Sequence, residues 1–317
     1  MPGVLTLVEQ EGGAVDELSL QALALARELG DPVHAALVGD ASGADALGAY
    51  GVQTVHVADG EQLSAYAPAA WAACLEQLID QIQPTAVVAA GTNRGNEVLS
   101  HLAARRDVPF AANCVAAGTD GGVTRVRWGG SLLEEARIDS ELKLLSVAPH
   151  MVETTTVNGG AATVERLDVA VDDADLVVRV SAHEDTVTAG ISLAEAKVVV
   201  SGGRGVGSAD GFGILEELAG LLNAAVGCSR VVTSAGWSPH TDQVGQTGTK
   251  VAPDLYIACG ISGATQHIAG CKGAKKILAI NSDAEAPILA SADYAVIGDL
   301  TEIVPAITAE LRKARSP

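Results

Sequence analysis

The chain has few aromatic residues, few basic ones and few cysteines, and each shortage excludes something. Phe, Trp and Tyr supply 3% of the 317 residues. The core must therefore be built from Ala, Val, Leu and Ile, as in layered α/β domains. Lys and Arg number 20 against 39 Asp and Glu, a formal net charge of −19. That balance argues against a nucleic-acid or anionic-membrane surface, because both need basic patches. The five cysteines stand at 74, 114, 228, 259 and 271, with no CxxC pair. An odd, scattered set predicts neither a disulfide framework nor a zinc site, and points to a reduced, cytoplasmic setting. No apolar run reaches the roughly 18 residues that span a bilayer, so membrane insertion is not expected. MPGVLTLVEQ shows no basic or long apolar segment of a signal peptide. HExxH, GxSxG and EF-hand patterns are missing too. His240 and Asp242 are only two potential metal ligands, and no metal is expected.

What is present reads as a globular protein. Hydrophobic residues make up 48% and charged residues 19%, the reverse of a disordered chain. The length suits two domains, each with its own core. The first part alternates strands and helices. GVLTLVE (3–9), VHAALVG (33–39), TVHVAD (54–59) and TAVVAAG (85–91) read as strands. Residues 14–30, 71–83 and 96–107 carry helical spacing. This rhythm predicts a parallel sheet covered by helices, a nucleotide-binding-like α/β domain. After about residue 110 VTRVRW, SLLEEARI and LKLLSVA predict antiparallel additions, and LDVAVDDADLVVRVSA a further extended stretch.

A junction is expected near 183–196, with domains at 1–190 and 191–317. The second domain should be a doubly wound parallel sheet. Its strands are KVVVS, AAVG, DLYIACG, KKILAIN and YAVIGD, and its helices span 214–225 and 301–315. Pro305 should fall in the first turn of the last helix.

Polar or glycine-rich groups follow five of these strands. GGRGVG (202–207) is a tight turn or a phosphate cradle, and Arg204 favours an anion. CSR places Ser229 and Arg230 at a strand end, where open α/β sheets bind ligands. A surface arginine is the alternative. VGQTG offers Gln246 and Thr247 beside Gly245 and Gly248, as a turn or as an approach for a planar ligand. In SGATQH, Ser262 suits a helix N-cap, and His267 is structural or a hydrogen-bond donor. Asn281 and Asp299 end the last two strands. Taken jointly, the five edges predict one large, planar, phosphate-bearing ligand, a dinucleotide by preference.

VVSGGRGVG, AAVGCSR, VGQTGTKVAPDLYIACGISGATQHIAG, ILAINSDAEAPI and ADYAVIGDL together resemble the alpha subunit of electron-transfer flavoproteins, the FixB family. The likeness is nearly continuous over 197–315. It departs at DAEAP (283–287), where Ala284 replaces a proline that the family usually carries.

The resemblance implies a heterodimer with a beta subunit and one FAD, held mainly by the C-terminal domain, with AMP in the partner rather than here. It implies an electron carrier, not an enzyme with a small-molecule substrate. Donors would be flavoprotein dehydrogenases such as the acyl-CoA dehydrogenases of fatty acid β-oxidation. The acceptor would be a membrane quinone oxidoreductase. An electron-bifurcating relative using NADH, or a non-redox nucleotide-binding module, is the alternative. By matching position, Arg204, Ser229, Ser262, Gly263, Ala264 and Thr265 should lie near the phosphates, ribityl or adenosine of FAD. Asn281, Asp299 and Leu300 should surround the adenosine half. Val244, Gly245, Gln246 and Thr247 should line the flavin, with Thr247 at N5. Gln266 should approach the ribityl region, His267 the flavin O2, and Arg230 the face of the ring. A polar hinge near 183–193 would let the FAD domain rotate.

Overall fold

Four fully buried residues in a row, Val4–Leu7, form β1 at the middle of the first sheet. A run buried on both faces marks an interior parallel strand. The computed structural model describes residues 3–130, 132–157, 159–182, 191–193 and 196–315. Contacts divide the chain into two units, residues 1–184 and 185–317. The core of the expected junction, 183–190, lies outside the described residues.

In the first unit a small hairpin of β2 (Gln10–Glu11) and β3 (Ala14–Val15) follows β1. Helix α1 (Glu17–Leu29) starts where Asp16 accepts from the Leu18 amide, and it ends at Gly30. Then come β4 (Val33–Val38), β5 (Val52–Ala58), α2 (Pro68–Ile82), β6 (Ala86–Ala90) and α3 (Asn93–Arg106). Pro68 opens α2 at a position that needs no amide hydrogen. Thr92 caps α3 by accepting from the Gly95 amide at 2.8 Å. Next are β7 (Phe110–Ala117), β8 (Gly122–Arg127), β9 (Leu132–Arg137), β10 (Lys143–Val147) and β11 (Thr163–Arg166). They complete one sheet in the order β11-β5-β4-β1-β6-β10-β7-β8-β9.

Two sequence expectations need correction here. LKLLSVA is not antiparallel: β10 inserts between β6 and β7 and runs parallel to both. Its LLSV run is buried throughout, which is the mark of an interior strand. In this sheet only the β7–β8 and β8–β9 pairings are antiparallel, so β8 alone runs against the other strands. The acidic stretch 167–182 contains no strand; a short turn at Asp173–Leu176 replaces it. Leu167, Val169 and Val171 still pack on the core, so burial there does not require pairing.

The strand order reverses between β1 and β6, which creates a crevice at their carboxyl ends. Glu9 fills it. Its carboxylate accepts the Thr92 hydroxyl beside the start of α3, and burial pushes its pKa up.

The second unit has strands β12 (Val198–Gly202), β13 (Ala225–Cys228), β14 (Leu255–Cys259), β15 (Ile277–Asn281) and β16 (Tyr294–Ile297). All pair in parallel, in the order β13-β12-β14-β15-β16. Helices α4 (Gly213–Leu222), α5 (Arg230–Ser234), α6 (Thr265–Cys271) and α7 (Leu300–Arg315) connect and follow them. Helix α4 stops short of its expected end at 225, because Asn223 turns left-handed at φ 52°. Pro305 is the sixth residue of α7, not part of its first turn, so it leaves the Thr301 carbonyl without a helical partner. One apolar cluster on each face of the sheet joins it to its helices. No described helix is long and apolar enough to cross a membrane.

Candidate functional site

The strand order of the second sheet reverses between β12 and β14, and a cleft of about 700 Å3 opens at the carboxyl ends of its strands. The turn after β12 forms one wall. A Cβ on Gly203 would lie 2.3 Å from the Gly260 carbonyl oxygen, and one on Gly205 would lie 2.7 Å from Gly260 Cα. These glycines let two backbones touch, which answers the question of the tight turn. Arg204, between them, is exposed on the cleft wall.

After β13, Ser229 donates its amide to the Gly202 carbonyl at 3.0 Å, and Arg230 begins α5. Both line the cleft. Neither Arg204 nor Arg230 makes an ion pair with a described carboxylate. In a chain of net charge −19, two unpaired guanidiniums on one cleft favour an anion.

Val244, Gly245, Gln246 and Thr247 form the next wall. The Val244 amide bonds the Cys228 carbonyl at 2.8 Å and the Gln246 amide bonds the Gln266 carbonyl at 2.7 Å. The loop is thus tied to β13 on one side and α6 on the other. Gln243, which the sequence reading passed over, also lines the cleft and is 2% exposed.

After β14, Ser262, Ala264, Gln266 and His267 reach the wall. Ser262 is not the N-cap: α6 begins at Thr265, and the cap position belongs to Ala264, which has no side-chain acceptor. The reason is Gly263. Its φ of +87° breaks the path between Ser262 and the helix, and Ser262 instead accepts the Ile288 amide through its carbonyl. Gly263 packs on Ile288, and neither it nor Thr265 belongs to the wall.

Asn281 lines the cleft and also fixes it. Its Nδ2 donates to the Ile261 carbonyl at 2.8 Å, and its Oδ1 accepts the Asp283 amide at 3.0 Å. Asp283 in turn accepts the Glu285 amide at 2.9 Å, so side-chain turns hold DAEAP in shape without the proline. Asp299 and Leu300 stand outside the wall. Asp299 accepts the Thr301 amide and hydroxyl at the head of α7, and Leu300 is buried beside Gly260.

His267 is 6% exposed, and its Nε2 lies 2.8 Å from the Tyr256 hydroxyl. Burial lowers its pKa to about 4; the Val244 backbone pulls weakly the other way, without a well-formed hydrogen bond. The ring is therefore neutral near pH 7. Burial raises the Tyr256 phenol well above 10, so it keeps its proton and can donate to Nε2 in the tautomer whose hydrogen is on Nδ1. Nδ1 is buried and makes no well-formed hydrogen bond within the chain.

Residues 4–172 match the family described as the electron transfer flavoprotein domain, and 192–272 the electron transfer flavoprotein FAD-binding domain. The chain is 39% identical to the electron transfer flavoprotein subunit alpha of Mycobacterium tuberculosis, over 99% of each chain. It is 37% identical to that of Syntrophomonas wolfei, over 99% of this chain and 100% of the relative. Clostridium saccharobutylicum Protein FixB is 34% identical over 98% and 96%.

The chain belongs to the electron-transfer flavoprotein alpha-subunit family.

The sequence reading missed several wall residues of this alpha-subunit cleft: Gln243, Val231, Ser234, Ile261 and the Asp283, Ala286, Pro287 set. Most lie within one or two residues of a chosen motif, and that adjacency was the available signal. All five cysteines are buried, and burial lifts each thiol to about 12. Iodoacetamide at pH 8 is therefore expected to leave the native protein unlabelled and to modify all five after denaturation. Mass spectrometry reads the count, and labelling of native Cys228 or Cys259 would contradict the burial.

Proposed function

We propose that this alpha subunit holds FAD in its C-terminal cleft, pairs with a beta subunit that closes the site, and carries electrons between proteins. The observation that supports this most is the pair of arginines, unpaired with any described carboxylate, converging on a strand-end cleft. The buried Nδ1 of His267 fits the same reading, since it makes no well-formed hydrogen bond within the chain and the Val244 backbone is only a distorted partner.

Bound FAD supplies reversible uptake and release of electrons. The protein's share is binding and electrostatics. We assign Arg204, Ser229 and Ser262 to the phosphate end and Asn281 to the adenosine half. Val244 through Thr247 and Gln266 go to the flavin side, with Thr247 at N5. Arg230 and the His267 N–H stand toward the part of the ring that gains negative charge. There a guanidinium and a fixed donor lower the energy of the reduced cofactor more than water would, because the dielectric is low. Gly263, Thr265, Asp299 and Leu300 shape the site from behind. No proton-abstracting base is needed, because the substrate is another protein's cofactor.

The donors we assign are flavoprotein dehydrogenases, such as the acyl-CoA dehydrogenases of fatty acid β-oxidation. The acceptor is a membrane quinone oxidoreductase, and the setting is the cytoplasm. AMP we assign to the beta subunit rather than to this chain.

Co-expression with the beta partner tests the reading. One FAD per heterodimer, reduced by a dehydrogenase donor, is expected. A colourless heterodimer would sink it. Direct reduction by NADH, with a second flavin present, would replace the shuttle with bifurcation. Arg204→Ala is expected to weaken FAD retention by roughly tenfold or more, the loss of one charge-assisted hydrogen bond. Retention after gel filtration measures it.

A further inference from the structure

The Thr247 hydroxyl does not stand alone. Gln243 Nε2 lies 3.1 Å from Thr247 Oγ1, and Gln243 Oε1 lies 2.9 Å from Thr233 Oγ1. Thr233 Oγ1 is also 2.9 Å from the Arg230 carbonyl oxygen. The Gln243 backbone is pinned, with its carbonyl accepting the Thr249 amide at 2.7 Å. Only the end of the side chain is left to turn.

Counting hydrogens along this line gives two complete arrangements. In the first, Thr233 donates to Gln243 Oε1, and the Gln243 amide donates to Thr247. Thr247 then keeps its own O–H for the cleft. In the second, the amide is turned by about 180°, an exchange of near-identical atoms in one volume. Its NH2 now donates to Thr233, whose hydroxyl hydrogen goes to the Arg230 carbonyl. Its oxygen accepts the Thr247 O–H, and Thr247 offers only lone pairs to the cleft. The Arg230 carbonyl makes the second arrangement possible, because it takes the hydrogen that Thr233 releases.

We propose that Gln243 is a positioning residue that reverses its amide with the redox state of the cofactor, so that Thr247 donates to the oxidised flavin and accepts from the reduced one. The proposal rests on the FAD reading above, with Thr247 facing N5. That nitrogen is a bare acceptor in the oxidised ring. Uptake of two electrons from a reductant and one proton from water turns it into an N–H donor and leaves one negative charge on the rest of the ring. A threonine fixed in one sense would satisfy only one state, and a partnerless polar group in a closed site is costly. The turning amide satisfies both.

The test uses the αβ heterodimer with its FAD, grown with glutamine labelled with carbon-13 at the side-chain carbonyl. Infrared difference spectra are recorded between the oxidised and the dithionite-reduced protein. A label-sensitive glutamine carbonyl band is expected, and it should vanish in Gln243→Met and in Thr247→Val. The two variants separate Gln243 from Gln246 and Gln266, which share the cleft. If Gln243→Met fails to fold, Thr247→Val, at an exposed position, carries the same comparison. A yellow heterodimer with no such band, or with a band that survives in either variant, overturns the switch and leaves the FAD reading standing. A colourless heterodimer overturns both.

Discussion

Replacing Gly270 by alanine is expected to destabilise the FAD-binding unit by about 3 kcal/mol or more and to expel the cofactor. Gly270 sits inside α6, where alanine is usually the better residue. Here the helix runs against the loop that carries Thr247. A Cβ on Gly270 would lie 2.3 Å from the Gly245 nitrogen and 2.4 Å from Gly245 Cα. Both are backbone atoms, so no side chain can swing aside. Nor can the loop retreat easily, since the Val251 amide bonds the Gly270 carbonyl at 2.8 Å and the Gln246 amide bonds that of Gln266 at 2.7 Å. Gly220 is the control. It lies in α4 with nothing within 4 Å of its missing Cβ, and alanine there should stabilise by up to about 1 kcal/mol. Urea unfolding read by circular dichroism compares the two. Equal midpoints would show that α6 and the loop are not in contact.

The second large effect is on pH. The folded state holds His267 neutral, with a pKa of about 4, whereas an unfolded histidine titrates near 6.5. The unfolded chain therefore takes up a proton first as pH falls. Stability from this group is fully present above about 6.5, declines through the interval and is gone below about 4. The total is about 3 kcal/mol. Asp242 acts in the opposite sense, because burial raises its carboxyl pKa. Comparing the wild type with His267→Gln cancels that contribution. Guanidinium unfolding of the FAD-free chain at pH 7 and pH 4.5 should show a clearly smaller pH-induced loss in the variant. Identical losses would place the titrating group elsewhere.

The α/β class and most elements were legible because apolar periodicity and turn residues act locally. β10 was not, because its neighbours β6 and β7 come from distant sequence, and nothing in KLLSV states the direction of its partners. The extended stretch 167–182 stays unpaired for a related reason: leucine and valine report burial, and burial does not imply pairing. In the cleft, charged and amide residues at strand ends were visible as ligand-facing types. Ser262 was misread because a cap is a matter of φ, and Gly263 sets that angle one residue later. Gln243 escaped notice because its importance lies in contacts with Thr233 and Thr247 that only the folded loop creates. The pKa of His267 was equally hidden, since it depends on how thoroughly Tyr256 and the surrounding backbone exclude water.

Two of the strands that build the cleft end in sulfur, β13 at Cys228 and β14 at Cys259. A thiolate at either place would be an electron-rich centre beside the cleft, open to oxidation by peroxide and to addition by electrophiles. Burial keeps both protonated at every pH the cell meets. The sulfurs are spectators. A protonated thiol is a poor nucleophile, so the strand ends that frame the cleft bring no sulfur chemistry of their own to it.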